Sequence, residues 1–208
     1  MKGTERLPSL DEETVPRDPF ELFALWLAAA TGIAEPEAMA LATVNANGSP
    51  AARMVLLRGV DERGFVFFTN YGSAKGRDLA TNERVAAVFY WGPLGRQVRI
   101  EGTVARVETE ESDAYFARRP RGHQLSAWAS AQSSVVSDRS ALERNVAEAE
   151  RRFSGKDVPR PPHWGGYRIS PERIEFWHSQ PYRMHDRLVY VREGARAGQG
   201  WARSRLYP

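Results

Sequence analysis

Residues 97–104 constrain the fold of this chain most tightly. Val98, Ile100 and Val104 alternate with Gln97, Arg99, Glu101 and Thr103, the period-two pattern of a strand with one apolar and one polar face. Such a strand needs a core beneath it and partners on both edges. The surrounding sequence supplies the partners. Residues 40–44 and 53–60 read as strands flanking Asn47-Gly48, a hairpin signal within a loop longer than two residues, and strands at 65–69 and 84–91 enclose a short helix at 73–81. Further strands are expected at 166–169, 173–177, 187–192 and 201–206, with 194–200 as a flexible turn.

Helices interrupt this pattern. Asp18-Pro19-Phe20-Glu21 combines an N-cap, a first-turn proline and a first-turn acid, and Phe20, Phe23 and Leu27 follow at helical spacing to an end near Gly32. Residues 109–153 read as helical, with Thr109 as a cap, Glu110 and Glu111 in the first turn, and an apolar stripe of Leu142, Val146, Ala149 and Phe153. Prolines at 159, 161 and 162 mark the return to the sheet. The order implies an α+β fold with a closed or partly closed antiparallel barrel. A length of 208 residues fits one domain, here 18–208, preceded by a mobile arm or interface strap at 1–17.

Composition removes several classes of function. There is no cysteine, so disulfides, thiolate metal sites and cysteine nucleophiles are excluded, and redox chemistry requires a borrowed cofactor. His123, His163, His178 and His185 show no metal-binding spacing, so no metal is expected. No apolar run approaches the roughly 18 residues of a membrane span, and Met1–Arg6 has no apolar signal core, which points to the cytoplasm. Basic residues are dispersed despite a net charge of +3, which argues against a nucleic-acid partner.

The segment 183–187 carries the sharpest chemical signal. If it is extended, Arg183, His185 and Arg187 share one face, with Met184 and Asp186 on the other. That wall suits an anionic, nitrogen-bearing ring; an edge strand with solvated arginines is the plainer alternative.

Other runs occur in a telling order: Arg53-Met54-Val55-Leu56-Leu57-Arg58, Phe68-Thr69-Asn70, Ser73-Ala74-Lys75, Arg96-Gln97-Val98, Tyr115 to Pro120, Gln132-Ser133-Ser134, Trp164-Gly165-Gly166 and Glu175-Phe176-Trp177. Together with 183–187 they closely resemble the pyridoxamine 5'-phosphate oxidase family, from about Asp18 to Pro208. The resemblance implies a split β-barrel and a homodimer with flavin mononucleotide (FMN) at the subunit interface. It implies FMN contacts from residues 53–58, Phe68, Thr69, Lys75, Gln97, Gln132, Ser133, Trp177 and Arg187. It places the substrate among Arg58, Tyr115, Arg119, His123, Arg183, Met184 and His185, with Arg183 and His185 as catalytic residues and O2 as electron acceptor. The implied reaction is hydride removal from the 4'-carbon of pyridoxine or pyridoxamine phosphate, with Arg183 orienting the ring and His185 holding it or accepting a proton.

Three positions depart from the family pattern: Arg58 stands for a lysine, Ala74 for an arginine and His123 for a serine. These keep open a paralogue that oxidises another reduced nitrogen heterocycle, as do the related flavin oxidases of phenazine biosynthesis. A flavin- or pyridoxal phosphate-binding protein without turnover is the non-enzymatic alternative.

Overall fold

The structure is a computed structural model that describes residues 9–194 and 200–208; most of the turn expected at 194–200 lies outside the described residues. Among the described residues nine strands form one antiparallel sheet: β1 (Ala38–Val44), β2 (Pro50–Leu56), β3 (Gly59–Asp61), β4 (Gly64–Asn70), β5 (Arg84–Trp91), β6 (Arg96–Arg106), β7 (Trp164–His178), β8 (Asp186–Arg192) and β9 (Trp201–Arg205). Five helices accompany it: α1 (Pro19–Ala29), α2 (Ala74–Thr81), α3 (Thr109–Ala117), α4 (Arg121–Ala129) and α5 (Arg139–Arg152). The strand order β2-β1-β5-β6-β7-β4-β3, with β8 and β9 extending from β7, curls into a split barrel of the α+β class.

β6 pairs with β5 on one edge and β7 on the other, so its ladder is satisfied on both sides. Val98 and Ile100 are fully buried beneath it. Residues 166–169 and 173–177, expected as two strands, belong to the single 15-residue β7. The register shift between Glu101 and Gly102 leaves Glu172 as the extra residue of a bulge, next to Pro171, which has no N–H for the ladder. Glycine is required at 102, where a Cβ would stand 2.2 Å from the Ser170 carbonyl oxygen. Conversely, the strand expected over 53–60 breaks in two. β2 pairs with β1, Leu57 then turns inward and Arg58 N donates to Val66 O, so β3 pairs with β4 instead.

α1 closes one end of the barrel. Asp18 Oδ1 accepts from Phe20 N at 2.9 Å, and Leu22, Phe23 and Trp26 bury completely enough to contribute about 1.5–3 kcal/mol each. Phe23 meets Phe65 and Phe89 edge-on at 4.9 and 5.1 Å. A second apolar cluster, built on Phe116, Leu125, Phe153 and Trp164, holds the α3–α5 layer. Only half of the stripe expected on α5 is covered: Ala149 and Phe153 are buried, whereas Leu142 and Val146 are partly exposed.

Order begins ahead of Asp18. Of the arm expected to be mobile, residues 1–8 lie outside the described residues, but Leu10 to Pro16 pack on β8 and β9. Tyr190 donates to Pro16 O, Arg203 to Val15 O, and Arg205 to Glu12, while Leu10 N donates to Asp186 Oδ2. The arginines of β9 satisfy a segment too polar to hold itself by burial.

Candidate active site

A cavity of about 670 Å³ opens between the β2–β3 corner, β4 and the α3–α4 layer. It brings together Met54, Val55, Leu56 and Arg58, then Phe68 and Thr69 of β4, Lys75 of α2, Tyr115, Arg119 and His123, and Gln132. Its wall is aromatic. Phe68 stacks on Tyr115 at 3.9 Å and 8°, and on Trp164 at 5.5 Å and 11°. Gly166 permits this, since a Cβ there would lie 2.8 Å from the Phe68 ring. The Arg119 guanidinium lies 4.5 Å over the Trp164 ring.

The lining holds Arg58, Lys75, Arg118 and Arg119 with no carboxylate. Arg119 Nη1 is buried with no partner among the described residues, and burial, with the neighbouring Arg58 charge, pushes its pKa down. At the opposite end burial, reinforced by Arg53, lowers the Lys75 pKa. Lys75 Nζ donates to Thr69 Oγ1 at 3.1 Å and Gln132 Oε1 at 3.2 Å. Thus Arg58, Arg118 and Arg119 on the α3–α4 side, and Lys75 beside Thr69 and Gln132, share one aromatic cleft whose lining has no carboxylate. Such a lining suits anionic ligands.

Not every expected residue lies here. Arg53 donates to Leu41 O, Thr43 Oγ1 and Asp78 Oδ2, so its guanidinium points behind the cavity wall. Leu57 belongs to the main core. Ser133 is exposed in the loop after α4, in the left-handed region at φ 70°. Arg121, a neighbour of Arg119, is engaged by Lys156 O and Phe153 O, which leaves Arg118 and Arg119 for the cavity.

A second cluster forms at the far end of β7. Gln97, Trp177 and Arg187 are direct neighbours in register across β6, β7 and β8. Arg187 Nε donates to Glu175 Oε1 at 2.8 Å, and this pair raises the Arg187 pKa. Glu175 is 2% exposed and also accepts from Arg99 and Arg173, so it anchors three arginines. His185 packs on Trp177, with ring centroids 4.7 Å apart.

The extended geometry expected for 183–187 does not form. Pro181–Arg183 is a 3-10 turn closed by Met184 N to Pro181 O, and Tyr182 and Arg183 have φ values of 58° and 61°. Strand geometry starts only at Asp186. Arg183 and Met184 are exposed and His185 is half-buried. Two successive non-glycine residues in the left-handed region cost on the order of 1–3 kcal/mol each, a strain typical of functional sites.

Asn70 and Trp164, which belong to the ordered runs, also line the cavity, as do Ser126 and Ser130, which no charge or spacing in the sequence marks. Glu175 stands in the run Glu175-Phe176-Trp177, but its role as the common acceptor for Arg99, Arg173 and Arg187 appears only in the fold. Among the described residues no cluster of three or more metal-ligating side chains occurs, and no helix is long and apolar enough to cross a membrane.

Comparison with known proteins fits this architecture. Residues 26–153 match the family model described as pyridoxamine 5'-phosphate oxidase, and residues 164–208 match the pyridoxine 5'-phosphate oxidase C-terminal dimerisation region. The chain is 58% identical to a pyridoxine/pyridoxamine 5'-phosphate oxidase of Rubrobacter xylanophilus, across 96% of this chain and 91% of that one. It is 54% identical to a protein of the same name from Burkholderia lata, across 96% and 94%. Among solved structures, PhzG from Burkholderia lata in complex with tetrahydrophenazine-1-carboxylic acid aligns with a TM-score of 0.89 at 33% identity, covering 99% of this chain and all of that one. Aromatic cleft, cationic lining free of carboxylates and near full-length likeness converge on one conclusion: the chain belongs to the pyridoxamine 5'-phosphate oxidase family of FMN-binding oxidases.

Proposed function

We propose that this chain oxidises pyridoxine 5'-phosphate and pyridoxamine 5'-phosphate to pyridoxal 5'-phosphate, with O2 as electron acceptor and H2O2 as product. The observation that carries the reading is the charge of the cavity: three arginines, one lysine and no carboxylate. Each phosphate monoester brings about −1.5 to −2 charges at neutral pH, so a cofactor phosphate and a substrate phosphate together match the four cations. A substrate carrying one carboxylate would leave the Arg58–Arg119 end under-neutralised.

In this reading Lys75, Thr69 and Gln132 hold the FMN phosphate end, and Phe68, Val55 and Leu56 form the apolar wall. Arg58, Arg119, Tyr115 and His123 hold the substrate phosphate. FMN, when bound, accepts the two electrons of the oxidised carbon and passes them to O2. The protein's part is to fix the ring against it and exclude water.

Gln97, Trp177 and Arg187 complete the site from a second copy of the chain. Trp177 lies 13 residues beyond Trp164 on β7, roughly 40 Å of extended strand. One FMN bound at the cavity therefore meets this row from a partner subunit. The match of 164–208 to a dimerisation region supports a homodimer assembled through this part of the chain. Arg183 and His185 arrive on the same segment.

The phenazine-type reading has a specific observation in its favour, the likeness to PhzG. The same organism supplies the counterweight: identity is 54% to its pyridoxine/pyridoxamine phosphate oxidase and 33% to its PhzG. The deciding experiment measures pyridoxal phosphate and H2O2 formation from pyridoxine phosphate and from unphosphorylated pyridoxine. Two charge-assisted hydrogen bonds correspond to roughly 3–6 kcal/mol, so kcat/KM should fall by about 10²–10⁴ without the phosphate. Arg119→Ala should erase most of that preference. Equal rates on the two substrates, or faster turnover of a reduced phenazine carboxylate, would overturn the assignment.

A further inference from the structure

His185 is held by a contact that fixes where its proton sits. The main-chain N–H of Gln180 points at His185 Nδ1 at 3.1 Å. An amide N–H only donates, so Nδ1 must supply a lone pair, and in the uncharged imidazole the hydrogen is then on Nε2. The contact is itself braced. Gln180 Nε2 donates to Asp186 Oδ2 at 2.9 Å, and Asp186 is fixed on its other side by Arg205 Nη1 at 2.7 Å and by Leu10 N at 3.3 Å. The Trp177 ring, 4.7 Å away, blocks rotation of the imidazole from a second direction.

We propose that Gln180 and Asp186 are positioning residues that hold His185 as the Nε2–H tautomer, so that His185 meets the substrate as a hydrogen-bond donor and not as a proton acceptor. The partner it selects is an electron-rich acceptor on the heterocycle, such as a deprotonated ring hydroxyl. This rests on the oxidase reading above for its substrate, but the tautomer itself does not depend on which heterocycle is oxidised. It also links the N-terminal strap to the site, because Leu10 and Arg205 reach His185 through Asp186 and Gln180.

The holoenzyme labelled with ¹⁵N-histidine, studied by two-bond proton–nitrogen correlation at neutral pH, tests the assignment directly. The His185 signals are identified as those lost in His185→Gln. A lone-pair shift on Nδ1 and a proton-bearing Nε2 are expected. The opposite tautomer overturns the proposal. Gln180→Ala keeps the main-chain N–H but removes the brace; it should mix the tautomers and raise KM about tenfold, the loss of roughly one hydrogen bond. A spectrum and KM equal to the parent's overturn the positioning role.

Kinetics of two variants separate donor from base. The glutamine amide nitrogen overlays Nε2, whereas the asparagine nitrogen overlays Nδ1. His185→Gln should therefore stay within about tenfold of the parental kcat/KM while His185→Asn loses about 100-fold; comparable large losses in both would mark a base. If pyridoxine phosphate is not oxidised yet the Nε2–H tautomer is found, the substrate assignment fails and the positioning of His185 stands.

Discussion

Lys75 is the cation on which flavin retention should turn, because its neighbours are already engaged: Arg53 by Asp78 and Thr43, and Arg77 by Gly72 O. With Ala74 in place of an arginine, Lys75→Ala should weaken FMN binding by about 10- to 150-fold, the equivalent of 1.5–3 kcal/mol for one charge-assisted hydrogen bond. Ala74→Arg should tighten it. Fluorescence titration of the apoprotein with FMN measures both, and an unaltered affinity in Lys75→Ala would move the phosphate elsewhere. Arg183→Ala should leave FMN bound and lower turnover about 100-fold or more, since orientation is lost and not cofactor; loss of flavin instead would mean the two sites are confused. The lining residues were legible in sequence because they occur in short ordered runs. The inward turn of Arg53 was not, because Thr43 and Asp78, 10 and 25 residues away in the chain, decide where its guanidinium goes.

Alternation along β6, the caps of α1 and the Asn47-Gly48 turn are local signals, and each corresponds to an element in place. The misread segments are those in which tertiary partners override local pattern. Residues 53–60 change partner strand at Leu57, and 183–187 is bent by the turn at Pro181 and two left-handed residues. The strap is a third such element: its polar sequence reads as free chain, yet Arg203 and Arg205 hold it. The Arg205 guanidinium, hydrogen-bonded to Glu12, holds that carboxyl at about 2, below its ordinary value of 4.5. The latch is thus fully present above about pH 4.5 and lost as pH falls through about 2. Partial exposure of the pair makes it sensitive to salt. Carbon-13 titration of the Glu12 carboxyl should give the depressed midpoint, and Arg205→Ala should restore the ordinary one; a normal midpoint in the parent would contradict the latch. In the aromatic wall, Gly166→Ala would drive a methyl to 2.6 Å from Val107 and 2.8 Å from Phe68. It should lower the melting temperature and disturb the Phe68–Tyr115 stack, whereas unchanged stability would show that the wall yields easily.

For the whole molecule, the long β7 places the cavity near one end and the Gln97–Trp177–Arg187 row at the other. If each site draws on two copies, Lys75→Ala and Trp177→Ala chains should each be poorly active alone yet regain activity on mixing. Random reassociation gives half heterodimers with one intact site each, about a quarter of parental activity. No recovery would mean that each chain builds its own site. That Trp164 and Trp177 lie far apart along one strand was not derivable from local patterns, since residues 166–169 and 173–177 read as two separate strands. The central claim, that this cleft binds FMN and presents a phosphorylated B6 substrate to it, is tested most directly by anaerobic mixing of the FMN-loaded protein with pyridoxine 5'-phosphate. The flavin absorbance should bleach promptly and return on admission of air, with pyridoxal 5'-phosphate formed in equal amount. Flavin that stays oxidised with pyridoxine phosphate, but bleaches with a reduced phenazine carboxylate, would contradict it.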